Sequence, residues 1–521
     1  MPTRCVKTVV ALAALAWSAS AAVAAPDPGA ALVRSHCSGC HHETKPGQFE
    51  RISAIRKTPE GWVMTLFRMR QVHHLVLADD VHDAIVRHLA DTQGLAPSEA
   101  APARFALERR PNVQDLDLGP ELGVMCGRCH SLARVALQRR DTAEWLKHMH
   151  FHVGQYPTLE YQASGRDRPW WQIASTVLPA ELGKRFPYAT SAWSDWQKQP
   201  KRDLSGRWVV VGHVPGGRDF YGSADIAREP GGDYRARYAL TEVNGAALGG
   251  ESHAIVYTGY EWRGRATLGG RPVREIYAAS EDGTRLSGRW LDPDHAELGG
   301  EWTAIRADAA PTVLAVLPRA ARAGAGGRVV VVGSGLGGAE PVSFGAGTTA
   351  TVARRDANLL EADVAVAADA APGARTVRAG AAAGELVVYR QIDQLDVRPG
   401  YGIARLGGGK VAPVAAQFEA FASTRLPGGE LVALGPVAAD WSAVPYDDEA
   451  RRTADDKYAG QMGPSGRYLP AVAGPNPTRE FSGDNVGNLA VVASVRDGER
   501  AVEGRGHLVV TVQRWITPPI Y

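Results

Sequence analysis

A repeated five-residue motif constrains this chain more than any other feature. Cys37-Ser38-Gly39-Cys40-His41 recurs as Cys126-Gly127-Arg128-Cys129-His130. In a CxxCH motif two thiols lie within one helical turn, where each can form a thioether with a haem vinyl group, and the following imidazole reaches the iron. A single copy would leave open a thioredoxin-like redox pair or half a zinc site, but two copies favour two covalently bound haems c. The predicted site residues are Cys37, Cys40, Cys126 and Cys129 for haem attachment, and His41 and His130 as proximal iron ligands.

The first 25 residues have the pattern of a secretory signal peptide. Basic residues precede an apolar run at residues 9–17, and small residues then lead to Ala25. We expect cleavage after Ala24 or Ala25 and a periplasmic location, since c-type haems are expected to be attached outside the bacterial cytoplasm. Cys5 would leave with the signal, so all four remaining cysteines belong to the two motifs.

The histidines confine the iron chemistry to the first third of the chain, because 11 of the 15 lie between His36 and His152. Within this third, Thr58 and Asp141 are predicted to cap helices that follow the two motifs. A further helix is expected to open at Asp79, and a last one to run from Trp170 to about Leu182. Both halves are therefore predicted to be small helical cytochrome c units.

The distal iron ligands are predicted from an internal alignment. Aligning Trp62 with Trp145 places Met69 and His152 at the same position, seven residues further along. The first haem would then be His/Met and the second His/His, and the methionine ligand would give the first iron the higher reduction potential. The alternatives are Met64, His73 and His74 for the first iron, and Met149 and His150 for the second.

The rest of the chain is predicted to be β structure. Alternating strands and glycine-rich turns begin near residue 200, and the pentapeptide Leu-Ser-Gly-Arg-Trp at 204–208 recurs at 286–290. An antiparallel barrel of about eight strands explains that spacing, with the tryptophans in its core. The fold class is thus multidomain, α plus all-β. The expected units are a signal peptide at 1–25, a dihaem cytochrome c domain at 26–200, an antiparallel β-barrel at 201–309, an immunoglobulin-like β-sandwich at 310–393 and a C-terminal β domain at 394–521.

Several sequence patterns in the β region resemble the motifs of other functional classes. Gly333-Ser334-Gly335-Leu336-Gly337-Gly338 follows a strand, as a dinucleotide-binding motif does, but Pro341 and a second strand follow where a helix is required. The acidic residues at 447–449 and 455–456 lack calcium-loop spacing and are expected to form a solvated loop. The net charge of +2 gives no reason to expect a nucleic-acid partner, and no segment after the signal is apolar enough to span a bilayer.

With two CxxCH motifs in a helical third followed by three β domains, the chain resembles the alpha subunit of quinohemoprotein amine dehydrogenase. The most specific parts of the resemblance are the motifs themselves, residues 58–69 and residues 150–155. It implies a heterotrimer in which this chain carries both haems, a small gamma subunit carries a cysteine tryptophylquinone that oxidises primary amines, and a propeller-like beta subunit completes the complex. No catalytic residue is expected in this chain, because no cysteine remains for such a quinone once the haems are attached.

The function implied by this resemblance is electron transfer. Electrons from the partner's quinone would pass through the two haems to a soluble acceptor, an azurin-like blue-copper protein or another cytochrome c. Two other classes remain open at this stage. One is a free-standing dihaem electron carrier whose β domains serve in docking, and the other is a dihaem peroxidase, for which the long β region has no evident purpose.

Overall fold

The computed structural model describes residues 28–104, 116–127, 130–159, 167–338, 341–408 and 411–512. The expected signal peptide at residues 1–25, with Cys5, lies outside these ranges, and so does the predicted attachment residue Cys129. Within the described ranges no helix is long and apolar enough to cross a membrane.

The first third of the described chain is helical, with four short strands. Its helices are α1 (Pro28–Cys37), α2 (Pro59–His73), α3 (Asp79–Thr92), α4 (Pro97–Ala100), α5 (Pro120–Cys126), α6 (Ala133–Ala136), α7 (Thr142–Gln155), α8 (Trp170–Thr176), α9 (Leu178–Arg185) and α10 (Ser191–Lys198). Its strands are β1 (Glu43–Lys45), β2 (Gln48–Phe49), β3 (Arg56–Lys57) and β4 (Gln138–Arg139). The strand pairs are β1 with β2 and β3 with β4, both antiparallel.

Helices α2 and α7 begin at the capping residues that the sequence predicts. The Thr58 hydroxyl accepts a hydrogen bond from the Gly61 amide at 3.4 Å, and the Asp141 carboxylate accepts one from the Glu144 amide at 2.7 Å. These bonds satisfy amides that have no partner inside a helix. The tryptophan four residues past each cap is only 1% exposed, so both helices are anchored in a core by the same residue type.

The prediction of a single helix from Trp170 to about Leu182 is wrong. The chain forms two helices there, because α8 ends at Thr176 and α9 begins at Leu178. Pro179 lies in the first turn of α9, where its missing amide hydrogen is not needed; it could not have continued the hydrogen bonds of α8. The sequence analysis also missed α10, which Thr190 caps by accepting a hydrogen bond from the Trp193 amide at 3.2 Å.

The next eight strands form the predicted antiparallel barrel, which is closed. They are β5 (Gly206–His213), β6 (Asp219–Arg228), β7 (Tyr234–Glu242), β8 (Ala247–Tyr257), β9 (Glu261–Leu268), β10 (Arg271–Ala279), β11 (Arg285–Leu291) and β12 (Gly299–Arg306). Pairing of β12 with β5 closes the ring. Trp208 is buried in its core as expected, and Trp302 of β12 is buried there too, whereas Trp290 is only half-buried against that core.

The following segment forms two four-stranded sheets. The strands are β13 (Thr312–Leu317), β14 (Ala320–Arg322), β15 (Gly326–Ser334), β16 (Val342–Ser343), β17 (Thr348–Arg355), β18 (Leu359–Val366), β19 (Gly373–Ala379) and β20 (Ala382–Tyr389). The sheet orders are β13-β15-β18-β17 and β14-β20-β19-β16. Gly333 and Ser334 of the glycine motif end β15, and its remaining residues begin the connection to β16, with Gly335 at φ +67°. Residues 335–338 and 341 form no helix. The dinucleotide-like motif is therefore a connection between two strands of a sandwich.

The C-terminal segment is built on three sheets. Its elements are β21 (Gln394–Arg398), β22 (Tyr401–Arg405), β23 (Ala416–Gln417), β24 (Glu419–Arg425), β25 (Leu431–Val437), β26 (Asp440–Pro445), α11 (Asp448–Arg452), α12 (Asp455–Tyr458), β27 (Gly460–Met462), β28 (Arg467–Pro470), β29 (Gly487–Asp497) and β30 (Arg500–Thr511). The sheet orders are β21-β24-β25, β22-β30-β29-β26 and β23-β28-β27.

Two features of the β domains differ from expectation. The pairs β14 with β20 and β22 with β30 are parallel, which long connections between their strands permit. Of the acidic residues expected in a solvated loop, Asp447 caps α11 and the other four lie on the short helices α11 and α12. Asp455 is buried and accepts a hydrogen bond from Arg479 at 2.5 Å, so one of these carboxylates stabilises the fold.

The barrel supports the helical third. One continuous apolar core includes residues of both, from Leu95 to Ala304. The Tyr260 hydroxyl donates to the Leu95 carbonyl at 3.1 Å, and the barrel residue Arg263 pairs with Glu60 in the first turn of α2. Helix α2 is thus held in a definite position relative to the barrel.

Candidate haem-binding site

The first CxxCH motif follows directly from α1. That helix ends at Cys37, whose carbonyl accepts hydrogen bonds from the amides of Cys40 at 3.2 Å and His41 at 2.9 Å. The His41 ring donates from Nδ1 to the Glu50 carbonyl at 3.0 Å. Because a carbonyl can only accept, Nε2 carries no proton in the neutral ring and is free to bind a metal.

The two cysteines of this motif differ in environment. Cys37 is buried and Cys40 is exposed, and neither forms a disulfide. Burial, together with the neighbouring Cys40, raises the pKa of the Cys37 thiol. A buried and an exposed thiol one turn apart present one sulfur to the core and one to its edge, which suits a group held partly inside the domain.

The second motif follows α5 in the same way. Cys126 ends that helix and is half-buried, while Cys129 lies outside the described residues. The His130 ring donates from Nδ1 to the Ser131 carbonyl at 2.9 Å, so that in the neutral ring Nε2 carries no proton. His41 and His130 therefore have the same tautomer and the same kind of orienting partner.

The ring of His152 lies near that of His130. Its ring lies on α7 and donates from Nδ1 to the His148 carbonyl at 2.8 Å, and the centroids of the His130 and His152 rings are 6.3 Å apart. Two metal–nitrogen bonds of about 2 Å, with the offset of each nitrogen from its ring centroid, span about 6 Å. The separation of the two ring centroids therefore matches the length of such a span.

Met69, the predicted distal ligand of the first unit, lies on α2. Met69 is half-buried on α2, on the helix face that carries the buried side chains of Trp62 and Leu66, since residues three and seven apart share a face. Of the alternatives, Met64 is half-buried, whereas His73 and His74 are exposed at the end of α2.

The alternative distal ligands of the second unit, Met149 and His150, differ in exposure and in neighbours. Met149 is buried in the core. His150 is exposed, and its ring lies edge-on to that of Trp171, with centroids 4.8 Å apart. His148 lies beside His152, with ring centroids 4.6 Å apart, and desolvation holds its pKa well below the usual range, with nearby cations such as Arg140 lowering it further.

The two units share a boundary that sequence reasoning missed. Strands β3 and β4 pair antiparallel with Arg56 directly opposite Arg139, and these arginines occupy equivalent positions, six residues before Trp62 and Trp145. Both donate to the buried carboxylate of Glu99, Arg56 at 2.8 and 2.9 Å and Arg139 at 3.3 Å. A local twofold axis that relates the two units therefore passes near this pair.

The residues that follow these two arginines, Lys57 and Arg140, are also equivalent in the two units. Lys57 lies over the Trp62 ring with its Nζ 5.4 Å from the centroid, and the Arg140 guanidinium lies 5.6 Å from that of Trp145. The sequence contains a signal for this arrangement. A pattern of five residues, Arg, Arg, Lys/Arg, Thr/Asp and Trp, occurs twice with identical spacing. The first copy is Arg51, Arg56, Lys57, Thr58 and Trp62, and the second is Arg134, Arg139, Arg140, Asp141 and Trp145.

Comparison with protein families accounts for nearly the whole chain. Residues 27–193 match the model described as Quinohemoprotein amine dehydrogenase A, alpha subunit, haem binding. Residues 201–307, 310–390 and 395–520 match domains II, III and IV of the same alpha subunit. The chain belongs to the quinohemoprotein amine dehydrogenase alpha-subunit family. It is accordingly a subunit of a multi-subunit oxidoreductase and contains its haem-binding domain.

Other comparisons add little to the family assignment. A search of curated proteins found no match. Among solved structures, the redesigned β barrel mFAP1 bound to DFHBI aligns over 19% of this alpha-subunit chain and 91% of its own, at 17% identity and a TM-score of 0.17. The gamma-CGTase of Alkalophilic bacillus clarkii aligns over 88% of this chain and 66% of its own, at 10% identity and a TM-score of 0.16.

Proposed function

We propose that this alpha subunit is the dihaem electron-transfer subunit of a periplasmic quinohemoprotein amine dehydrogenase. It accepts electrons from a cysteine tryptophylquinone in a small gamma subunit and passes them to an azurin-like blue-copper protein or a cytochrome c. The complete enzyme, a heterotrimer with a propeller-like beta subunit, converts primary amines to aldehyde and ammonia.

The single observation that carries this proposal is the equivalence of the two units. Each has a CxxCH histidine whose Nδ1 donates to a carbonyl, and each has a capped helix anchored by a buried tryptophan, with Met69 or His152 seven residues beyond it. The 6.3 Å separation of the His130 and His152 rings suits a metal ion between them. One duplicated haem unit would account for all of these features.

The proposed roles follow the motif positions. Cys37, Cys40, Cys126 and Cys129 attach two haems c covalently, His41 and His130 are the proximal ligands, and Met69 and His152 are the distal ligands. Haem c supplies one-electron redox chemistry when bound. The backbone carbonyls of Glu50 and Ser131 orient the proximal imidazoles, and such partners also raise the basicity of a ligand.

The composition of the chain supports a division of labour. The four cysteines outside residues 1–25 all belong to CxxCH motifs, so a cysteine-linked quinone needs another chain. We propose the domain limits 26–200, 201–309, 310–393 and 394–521, which the ends of the strands and the ranges of the family matches support. The β domains would hold the catalytic subunit against the haem domain.

The test is purification from the native operon in a host that attaches haem c, using a tag on this chain. Co-purification of small and medium subunits, and reduction of the haem bands when a primary amine is added, is the expected result. The matched control is the same preparation from an operon that lacks the gamma-subunit gene. It should retain both haems and show no amine-dependent reduction.

Other outcomes would assign the chain to another class. If it purifies alone with two haems and is reduced only by dithionite, it is a free-standing electron carrier. A spectral change driven by peroxide would indicate a dihaem peroxidase. Amine oxidation by the alpha chain without a partner would place the catalytic group in this chain and refute the proposal.

A further inference from the structure

Four cations lie together at the boundary between the two haem units. Arg51, Lys57, Arg68 and Arg140 are here named the basic cluster. Lys57 is 5% exposed and Arg140 is 2% exposed. Desolvation holds the pKa of Lys57 well below its ordinary value, and the charges of the three arginines lower it further. Desolvation likewise lowers the pKa of Arg140, to about 9.

The described residues supply too little negative charge for this cluster. Glu144 is the carboxylate that reaches it, at 3.4 Å from Arg51 Nε, and Glu144 also pairs with Lys147 at 2.5 Å. Three donors of the cluster have no hydrogen-bond partner in the described structure, namely Nε of Arg51, Nε of Arg68 and Nη1 of Arg140. An uncompensated buried charge costs several kcal/mol, so an anion placed against these donors would stabilise the fold.

The donors that do have partners leave most of the positive charge uncompensated. Lys57 Nζ and Arg68 Nη2 both donate to the neutral Thr65 hydroxyl, at 2.7 and 3.4 Å. Arg140 donates from Nε and Nη2 to the side-chain oxygen of Gln138, both at 3.1 Å. A hydroxyl and an amide orient these cations without neutralising them.

The basic cluster reaches both candidate iron sites through packed rings. From Arg140 a chain of contacts runs across Trp145 and His148 to His152, with successive separations of 5.6, 6.0 and 4.6 Å. Arg68 immediately precedes Met69, and its guanidinium lies 5.1 Å from the ring of Phe151, which immediately precedes His152. The cluster is therefore adjacent to the distal side of each unit.

We propose that the basic cluster is the binding site for haem propionate carboxylates, and that it serves the haems of both units. This inference rests on the proposed two-haem function. Each haem carries two propionates that are anionic at neutral pH, and carboxylates pair strongly with guanidinium and ammonium groups in dry surroundings. Lys57 anchors a propionate of the first haem, and its equivalent Arg140 anchors one of the second.

The test measures the midpoint potential of each haem in the purified holoenzyme. Lys57→Met and Arg140→Met remove one buried positive charge each, which favours the ferric state of the neighbouring haem. We expect Arg140→Met to lower the second haem's reduction equilibrium constant at least tenfold, about 59 mV for one electron, and Lys57→Met to do the same for the first. The matched control is Lys184→Met, an exposed cation on α9, which should move neither potential.

Charge-preserving variants separate a charge effect from misfolding. Lys57→Arg and Arg140→Lys should keep haem content and midpoint potentials near those of the unmodified enzyme. In redox infrared difference spectra with ¹³C-labelled propionates, the carboxylate bands should shift in Arg140→Lys, because an ammonium replaces a guanidinium. Unchanged bands in that variant would overturn the proposal, even if Arg140→Met fails to fold.

Two further results would also overturn it. One is midpoint potentials in both methionine variants that match those of Lys184→Met. The other is a shift of the same single haem in both variants, since the cluster would then serve one unit only. Haem content and amine oxidation are measured on the same samples. Two haems and shifted potentials without amine oxidation would refute the proposed function but leave this site standing.

Discussion

The guanidinium of Arg68 lies 5.1 Å from the centroid of the Phe151 ring, and these two residues hold the same position in two equivalent helices. Each is six residues beyond the anchoring tryptophan of its helix, Trp62 or Trp145, and each directly precedes a proposed distal ligand. Together with the pairing of Arg56 opposite Arg139, this contact relates the two units by a local twofold. The proposed distal ligands therefore both lie next to the shared boundary.

Exchanging the proposed distal ligands should change the two potentials in opposite directions. His152→Met gives the second iron a methionine ligand and should raise its reduction potential, while Met69→His should lower that of the first, because methionine favours the ferrous state. Potentiometric titration with electron paramagnetic resonance would show both effects. The controls are His150→Met and Met64→His, at alternative positions on the same helices. A larger effect from either control would move the ligand assignment to that residue.

Removal of the Glu99 carboxylate should destabilise the boundary between the two units that contain the CxxCH motifs. Glu99→Gln leaves the buried Arg56 and Arg139 without a counter-charge, which we expect to cost about 3–5 kcal/mol. Urea unfolding of the holoprotein measures this difference. Glu121→Gln, which changes an exposed carboxylate on α5, serves as the control and should be near neutral.

The same carboxylate should make stability depend on acid pH. Burial raises the pKa of Glu99, but hydrogen bonds and charge from Arg56, with a smaller contribution from Arg139, outweigh burial and lower it overall. A lowered folded-state pKa contributes stability above the unfolded value of about 4.3, and this stability is lost as the pH falls further. Glu99→Gln should therefore unfold with a weaker pH dependence below about pH 4 than the unmodified chain. Equal acid dependence in both would contradict the assignment.

The barrel interior should depend on one buried acceptor. Glu275 accepts hydrogen bonds from Ser252 at 2.5 Å, Tyr238 at 2.7 Å and Trp262 at 3.0 Å. Glu275→Leu would leave those donors unpaired, at a cost of about 3 kcal/mol or more. Glu275→Gln keeps a carbonyl oxygen in place and should cost less. Thermal unfolding compares them, and equal losses would show that the charge rather than the acceptor matters.

A histidine between the barrel and the C-terminal domain should make stability depend on alkaline pH. Burial lowers the pKa of His213, but hydrogen bonds to Asp219 at 2.7 Å and Glu419 at 2.6 Å raise it overall, to about 9. A raised pKa contributes stability that is complete below the unfolded value of about 6.5 and is lost as the pH rises through 9. We expect a loss of about 1–3 kcal/mol over that interval.

Urea unfolding at pH 6 and pH 10 tests this expectation. His213→Asn should be less stable than the unmodified chain at pH 6 and similar to it at pH 10. The control, His253→Asn, changes an exposed histidine that faces Glu229 on the barrel. If His253→Asn removes as much of the alkaline pH dependence as His213→Asn, the proposed link between the two domains is wrong.

Much of this architecture is local in origin and could be predicted from sequence. The caps at Thr58 and Asp141 set the starts of α2 and α7 because side-chain oxygens satisfy amides only a few residues away. The barrel was predictable because inward and outward residues alternate along each strand. The break at Val177 was missed although Pro179 signals it, because a proline is tolerated in the first turn of a helix but not in a helix interior.

CxxCH spacing, helix caps and strand alternation act over a few residues, so they were sufficient to predict a haem-binding helical region followed by β domains. Packing of the folded chain brings the rings of His130 and His152 to 6.3 Å, places Arg56 opposite Arg139 and gathers Lys57, Arg68 and Arg140 at one buried boundary. These contacts join residues far apart in the chain, and their positions depend on how whole helices pack. A buried charge without a partner becomes visible only when that packing is known.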